Sequence, residues 1–147
     1  MLGLLYQFAD RVRHRARQRS WSADLAAGRR GEDIAHRYLD RKGFTVVARN
    51  FRTRTGHAEI DLVAWDDETL VFVEVKARHS ADYGPPDRAI GQEKERHLLQ
   101  GALEFSRRID VPWEHVRFDV VNVILSTPPA VMHIRDAFRP AAHVAYS

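Results

Sequence analysis

Four charged residues carry the chemistry that this sequence suggests: Glu32, Asp61, Glu74 and Lys76. Glu74 and Lys76 interrupt an apolar run, residues 70–78, whose β-branched composition predicts a strand buried on both faces. Side chains alternate along a strand, so these two project from the same face. Burying a carboxylate and an ammonium costs several kcal/mol per ion unless each is paired or coordinated, which suggests that this pair is used.

The spacing of the acids fits a metal-dependent phosphodiesterase. Asp61 precedes Glu74 by twelve intervening residues, and Mg²⁺ is usually held by one or two carboxylates while it keeps several waters. Asp61 and Glu74 would supply the carboxylates, with the Val75 carbonyl as a third oxygen. The metal, Mg²⁺ or Mn²⁺, would polarise the phosphate and lower the pKa of an attacking water. Lys76 would position that water or neutralise transition-state charge, and Glu32 would hold a metal-bound water or a second ion.

A structural explanation is equally open from spacing alone, because charged residues in the pattern D-x₁₂-E-x-K also occur by chance and could simply pair as salt bridges. Other classes of site lack their motifs: the chain has no H-E-x-x-H, no G-x-x-x-x-G-K-[ST], no G-x-G-x-x-G and no G-x-S-x-G. Without cysteine, disulfides and thiolate metal sites are excluded. Nucleotide hydrolysis by a P-loop, a nucleotide cofactor and serine-hydrolase chemistry are therefore unsupported.

The helix and hairpin that come first in the chain should bring the acids together. Ser22 as N-cap and Gly43 as stop predict a helix over residues 23–42. Its inward stripe contains one acid, Glu32, among Leu25, Gly28, Ala35 and Leu39. An acid on that stripe needs a partner or a function, unless it lies at the edge of the stripe and reaches solvent.

Two strands are predicted next, over residues 44–50 and 57–65, with a basic turn between them. In the second strand, alternation predicts that Ile60 and Leu62 face one way and that Glu59, Asp61 and Val63 face the other. A short polar turn then leads into residues 70–78, which predicts an antiparallel hairpin. Asp61 would lie beside Glu74 across this hairpin.

The second half of the chain predicts a long helix over residues 88–108 and two further strands, over 116–125 and 131–138. The helix carries Lys94 on an otherwise apolar stripe formed by Ile90, Leu98, Ala102, Phe105 and Ile109. Lys94 is either a further catalytic candidate or a lysine whose stem covers apolar surface.

The 147 residues are enough for one domain, and their basicity is concentrated at one end. Residues 1–20 carry a net charge of +4 from five arginines and Asp10, whereas the remainder carries −1. We therefore divide the chain into a basic arm (1–21), a core domain (22–138) and a tail (139–147). The arm suits phosphate backbones or anionic membrane surfaces, or is simply a solvated tail. No apolar run approaches the roughly 20 residues of a membrane helix.

Several segments, in this order, resemble the YraN-type family of uncharacterised bacterial proteins with an endonuclease-like fold. They are Gly28-x-x-Gly31-Glu32 with Ala35 and Tyr38-Leu39; Asn50-Phe51-Arg52; Glu59 to Ala64; Val71 to Arg78; Lys94; and Arg117 to Val121. This family is similar to the archaeal Holliday junction resolvases and, more widely, to the PD-(D/E)xK nucleases. One departure concerns the turn before the second strand, where Ala58 replaces a usual glycine and Gly56 lies two residues earlier.

The resemblance implies an α/β fold with a restriction-endonuclease-like core, in which helices flank a mixed central sheet. Mapped residue by residue, it implies Asp61 and Glu74 as metal ligands, Lys76 as the catalytic lysine and Glu32 as the helix-borne acid. Lys94 also matches a family position.

We therefore expect a cytoplasmic, Mg²⁺-dependent DNA endonuclease that acts on branched or otherwise structured DNA. The candidate phosphate contacts are Arg29, Arg30, Arg52, Arg54 and Arg78, together with the arm. By analogy with resolvases, a homodimer would provide two sites for two strands. The alternative is a non-catalytic nucleic-acid-binding or scaffolding module with a vestigial nuclease site.

Overall fold

Two α-helices and five strands form the parts of the chain that this computed structural model describes, residues 23–79 and 91–140. The elements are α1 (residues 23–41), β1 (Thr45–Arg52), β2 (Glu59–Asp66), β3 (Thr69–Arg78), α2 (Gln92–Arg108), a short 3₁₀ helix (Trp113–His115), β4 (Val116–Ile124) and β5 (Ala130–Ile134). The predicted basic arm, the predicted start of the second helix and most of the predicted tail lie outside these residues.

The strands form one mixed sheet in the order β1-β2-β3-β4-β5. Both β1–β2 and β2–β3 are antiparallel, β3–β4 is parallel, and β4–β5 is antiparallel. The β2–β3 hairpin turns at Asp67, whose φ of 50° lies in the left-handed region that Asp tolerates. Helix α2 lies in the connection between the parallel strands β3 and β4, as a parallel pair requires. The predicted α/β fold is confirmed, and it is consistent with a restriction-endonuclease-like core.

Each face of the sheet packs on one helix, which creates two apolar cores. The α1 core joins Ile34, Ala35 and Leu39 of the first helix to alternate residues of the sheet such as Val73 and Val121. The α2 core joins Leu98 and Ala102 of the second helix to residues such as Ile60, Phe72 and Phe118. Strands β3 and β4 therefore lie between two buried layers, as their long apolar runs predict.

Two helical glycines allow these helices to approach the sheet closely. A Cβ atom added at Gly31 in α1 would lie 2.6 Å from Cβ of Ala77, and one added at Gly101 in α2 would lie 2.6 Å from Cδ1 of Ile60. Both distances are shorter than real Cβ contacts allow. Gly31 therefore sets the distance between α1 and β3, directly before Glu32.

Several predicted boundaries and burials are wrong at the ends of elements. Leu25 and Ile109, both assigned to inward stripes, are 46% and 44% exposed. Helical periodicity identifies a face of a helix, but it does not show where the helix extends past the sheet. The last strand ends at Ile134 instead of Phe138, and Asp136 beyond it has a φ of 54°. Neither helix in the described ranges is long and apolar enough to cross a membrane.

Candidate active site

Asp61 lies where β2 and β3 stop pairing. Their antiparallel ladder runs from Asp66–Thr69 to Leu62–Val73 and goes no further. Beyond that point, the backbone N–H of Val75 donates a 2.8 Å hydrogen bond to Oδ2 of Asp61. A side chain thus satisfies a backbone donor at the fork, which holds the Asp61 carboxylate against β3.

The facing predicted for β2 is wrong at this fork. Ile60 packs in the α2 core with Val63, whereas Leu62 packs in the α1 core, so Ile60 and Leu62 do not share a face. Strict alternation holds only while a strand remains a regular, paired strand. The alternation shifts at Asp61, where pairing with β3 ends.

Glu74 lies beside Asp61 and is buried on the face of β3 that packs toward α2. Nζ of Lys94 in α2 lies 3.3 Å from Oε2 of Glu74, and this ion pair is the contact of that buried oxygen within the described residues. Burial and then the charge of Asp61 raise the pKa of Glu74 to about 7, against the opposing effect of Lys94. Burial also raises the pKa of Asp61, although the Val75 N–H and Lys94 oppose this shift.

The two carboxyl groups therefore form a coupled pair that retains a proton near neutral pH. Burial and the charge of Asp61 raise the pKa of Glu74 to about 7, which corresponds to Glu74 holding the proton. This proton reduces the repulsion between the two carboxylates, and a bound cation could replace it in that role.

Glu32 of α1 interacts electrostatically with Asp61 of this pair. Its side chain is 16% exposed, and its Oε2 accepts a 3.2 Å hydrogen bond from Nδ2 of Asn50 and lies 3.7 Å from Nη2 of Arg49. Burial and then the charge of Asp61 raise the pKa of Glu32. The acids predicted from three separate elements therefore interact electrostatically in the folded chain.

Asn50 and Arg49 are site residues that sequence reasoning missed. Asn50 interrupts β1 with a φ of 51°, in the left-handed region that Asn adopts more readily than most residues. Its neighbours Arg49 and Phe51 pair with Leu62 and Ile60, so Asn50 lies opposite Asp61. The available signals were an Asn as the last residue of the predicted strand, since Asn is depleted in strands, and the segment Asn50-Phe51-Arg52 in the family resemblance.

Lys76 projects from β3 on the same side as Glu74, as predicted. The alternating residues Val73, Val75 and Ala77 all pack against the α1 core, which leaves Glu74 and Lys76 on the α2 face. Lys94 reaches the pair from α2 with a side chain that is 41% exposed. Two lysines from different elements thus accompany the acids.

The candidate phosphate contacts differ in how exposed their side chains are to solvent. Arg29, Arg30 and Arg54 are exposed, and Arg52 is 70% exposed although its guanidinium lies 3.6 Å from Glu59. Arg78 is partly buried at the end of β3. Arg49 is not available in the same way, because its Nη2 lies 2.8 Å from Oδ1 of Asp33.

The oxygen donors at the fork are suited to a small divalent cation. Within residues 23–79 and 91–140, no three His, Cys, Asp or Glu side chains gather around a single point. Asp61 and Glu74 therefore offer two carboxylates, with the Val75 carbonyl as the predicted third oxygen. Mg²⁺ is normally bound by one or two carboxylates with waters completing its shell, so the residues present fit such an ion. The raised pKa of Glu74, which persists although Lys94 lies 3.3 Å away, supports this fit.

The turn before β2 closes without the usual glycine. Ala58 is buried and exchanges hydrogen bonds with Thr53 across the turn, and the positive φ of 73° is taken up by Gly56. The turn therefore closes with its left-handed residue at Gly56, two residues before Ala58.

The segment from Arg117 to Val121 has a structural role. Asp119 is 1% exposed, and it accepts hydrogen bonds from Nε and Nη2 of Arg117, from the backbone N–H of Asp136 and through a 2.7 Å contact from His133. Burial opposes ionisation, but these contacts outweigh it and lower the pKa of Asp119. The network ties β5 and the following turn to β4.

Comparison with known proteins places the chain among uncharacterised relatives. The model of the uncharacterised protein family UPF0102 matches residues 31–123, more than half of the chain. A UPF0102 protein of Solibacter usitatus is 51% identical over 138 residues, which cover 94% of this chain and all of that protein. UPF0102 proteins of Rhodococcus opacus and Geobacter sulfurreducens are each 43% identical over 78% of this chain, and over 98% and 89% of their own lengths. The matched range contains Glu32, Asp61, Glu74, Lys76 and Lys94.

Proposed function

The chain belongs to the UPF0102 family, and we propose that it is a metal-dependent endonuclease that hydrolyses phosphodiester bonds in DNA. The observation that carries this proposal is the coupled pair Asp61–Glu74 at the β2–β3 fork. Glu74 is buried, Asp61 is partly buried, and the pKa of each carboxyl group is raised even though Lys94 lies 3.3 Å from Glu74. Carboxylates kept in this state are unfavourable unless they bind a cation or a proton.

The residues around the pair can be assigned distinct roles. Asp61 and Glu74 would hold Mg²⁺ or Mn²⁺, with the Val75 carbonyl as a third oxygen. When bound, the ion supplies Lewis-acid polarisation of the phosphate and a more acidic water. Lys76 neutralises the charge that develops on the phosphate oxygens, and Glu32 orients water from the α1 side.

The position of Lys94 gives it a supporting role. Its ammonium lies 3.3 Å from Oε2 of Glu74, so it orients this carboxylate and partly offsets the charge of the pair. A half-exposed lysine can also move from the carboxylate to a phosphate oxygen when DNA binds, because its stem is flexible.

The substrate class follows from the surroundings of the site. Arg29, Arg30, Arg52 and Arg54 carry exposed guanidinium groups, and Arg78 extends from the strand that holds Glu74 and Lys76. Such groups contact phosphates without reading base sequence, which suits recognition of DNA by shape, including branched DNA. We propose a cytoplasmic location, where such DNA occurs in bacteria. A homodimer would present two sites to the two strands of a DNA substrate.

Cleavage of end-labelled linear, flapped and four-way-junction DNA with Mg²⁺ or Mn²⁺ tests the proposal. Wild type would be compared with Glu74→Gln, Lys76→Met and the control Glu68→Gln, which removes an exposed carboxylate from the β2–β3 turn. We expect metal-dependent cleavage by wild type and the control, and a loss of at least about 100-fold in both site variants.

Two other outcomes would contradict the proposed activity at this site. Binding of DNA without cleavage, unaffected by Glu74→Gln, would favour the non-catalytic binding module. Cleavage that persists in both site variants would show that the activity arises elsewhere.

A further inference from the structure

Asn122, in the middle of β4, is buried with an unsatisfied side-chain amide. It is 4% exposed, and neither Oδ1 nor Nδ2 has a hydrogen-bond partner. Across the described part of the chain, the only other buried side-chain oxygen or nitrogen that meets no hydrogen-bond criteria is Oε2 of Glu74, which is ion-paired with Lys94. Most buried polar groups in native proteins are hydrogen-bonded, so each exception needs an explanation.

The sheet places Asn122 beside the candidate active site. Asn122 pairs directly with Lys76 in the parallel β3–β4 ladder. Its neighbours Val121 and Val123 both pack in the α1 core, so Asn122 faces the α2 side with Lys76 and Glu74. Adjacent strands lie about 4.8 Å apart, which sets the spacing between the Asn122 and Lys76 backbones. Within residues 23–79 and 91–140, the unsatisfied amide of Asn122 and the ion-paired Oε2 of Glu74 therefore lie on one face, close to Lys76.

A purely structural role does not explain this residue. Asn is depleted in strands, and an apolar side chain here would avoid burying an unpaired amide. The network around Asp119, three residues earlier, shows the contrast, because its buried carboxylate is fully hydrogen-bonded. Asn122 instead retains hydrogen-bonding capacity beside the site.

We propose that Asn122 is a positioning residue of the nuclease site, whose amide oxygen accepts a hydrogen bond from the Lys76 ammonium when a DNA phosphate is bound. This inference rests on the proposed function. Only the oxygen can serve Lys76, since an ammonium has three donors and no acceptor. The contact would fix the direction of the ammonium toward the phosphate, and the amide nitrogen would donate to water.

A double-mutant cycle tests this role. Asn122→Leu replaces the amide with an apolar group of similar shape, and Lys76→Met removes the ammonium. We expect Asn122→Leu to slow cleavage about 10- to 100-fold, as small misplacements of catalytic groups do. We expect it to cause little further loss when Lys76 is already Met, because residues that act as a unit are not additive. DNA affinity in Ca²⁺, measured by fluorescence anisotropy, should show the same coupling.

A second pair of variants separates polarity from packing. Asn122→Thr and Asn122→Val have nearly the same shape, but only Thr retains a hydroxyl that can accept a hydrogen bond. We expect Asn122→Thr to retain more cleavage activity than Asn122→Val. Urea unfolding should show that both variants fold and that Asn122→Val is at least as stable as wild type.

The outcomes distinguish this inference from the proposed function. If wild type cuts DNA and Asn122→Leu cuts equally fast, the inference alone is wrong. The inference is also wrong if Asn122→Leu slows cleavage by the same factor in the wild-type and Lys76→Met backgrounds. It is equally wrong if Asn122→Thr and Asn122→Val have the same activity. If wild type neither cuts nor binds DNA, the proposed function fails and the inference fails with it.

Discussion

The carboxylate of Asp61 accepts a 2.8 Å hydrogen bond from the backbone N–H of Val75 at the point where β2 and β3 separate. One side chain thereby has two roles. Its oxygen satisfies a main-chain donor that would otherwise lack a partner, and its charge contributes to the coupled pair with Glu74. Substitutions at this position can separate these roles.

Asp61→Asn retains an oxygen acceptor for Val75 but removes the charge. We expect its free energy of unfolding to stay close to that of wild type, because the hydrogen bond remains and the repulsion of Glu74 disappears. Asp61→Ala should be less stable by about 1–3 kcal/mol, because the Val75 N–H loses its partner. Urea unfolding measures both, and cleavage should be lost in both. Equal stabilities for the two variants would show that the hydrogen bond contributes little.

The raised pKa of Glu74 predicts how stability depends on pH without metal. Burial and then Asp61 raise this pKa from 4.5 to about 7, so the folded chain binds the proton more tightly than the unfolded chain. This tighter binding stabilises the folded chain fully below about pH 4.5. As pH rises through 7, the free energy of unfolding should fall by on the order of 3 kcal/mol. Urea unfolding of wild type between pH 4.5 and 8 should show this decline. Glu74→Gln should remove most of it, and the exposed control Glu68→Gln should not.

Metal binding should reverse this loss. A divalent cation competes with the proton held by Asp61 and Glu74, so its affinity should increase as pH rises through 7. Mg²⁺ or Mn²⁺ at millimolar concentration should therefore raise Tm more at pH 8 than at pH 5.5, since a ligand of the folded state stabilises it by mass action. Thermal melts with and without metal measure the difference. An identical increase in Glu74→Gln would place the bound metal elsewhere.

Much of this arrangement could be predicted because it follows local periodicity. The apolar run around Glu74 predicted a central strand, and the polar turn before it predicted the hairpin with β2. Glu32 interrupts a helical stripe, which predicted its inward position. These inferences depend on a few neighbouring residues, and the folded chain retains that local order.

The remaining features arise from tertiary structure, which periodicity does not encode. Ile60 and Leu62 take opposite faces because the ladder ends between them, at Asp61. The pairing of Arg49 with Asp33 and Glu32 joins β1 to α1 across a sequence separation that spacing rules do not cover. Asn50 has a left-handed backbone conformation and lies opposite Asp61, and strand periodicity encodes neither feature.

Helix α1 holds Glu32 at the site through its contact with β3, which two glycines can test. A Cβ at Gly31 would lie 2.6 Å from Cβ of Ala77, whereas a Cβ at Gly28 would meet no atom within 4 Å. Gly28→Ala should therefore stabilise the protein by about 0.5–1 kcal/mol through helix propensity. Gly31→Ala gains the same propensity but must push α1 away from β3, so we expect a net loss of about 1–3 kcal/mol.

The effect on activity should also differ between the two glycines. Displacing α1 moves Glu32 relative to Asp61, so Gly31→Ala should slow metal-dependent cleavage even where it remains folded, whereas Gly28→Ala should cleave at the wild-type rate. Urea unfolding and cleavage assays on the same preparations would measure both effects. Stabilisation by both substitutions would show that α1 can shift on the sheet without cost. Unchanged cleavage by a destabilised Gly31→Ala would show that the position of Glu32 does not limit the reaction.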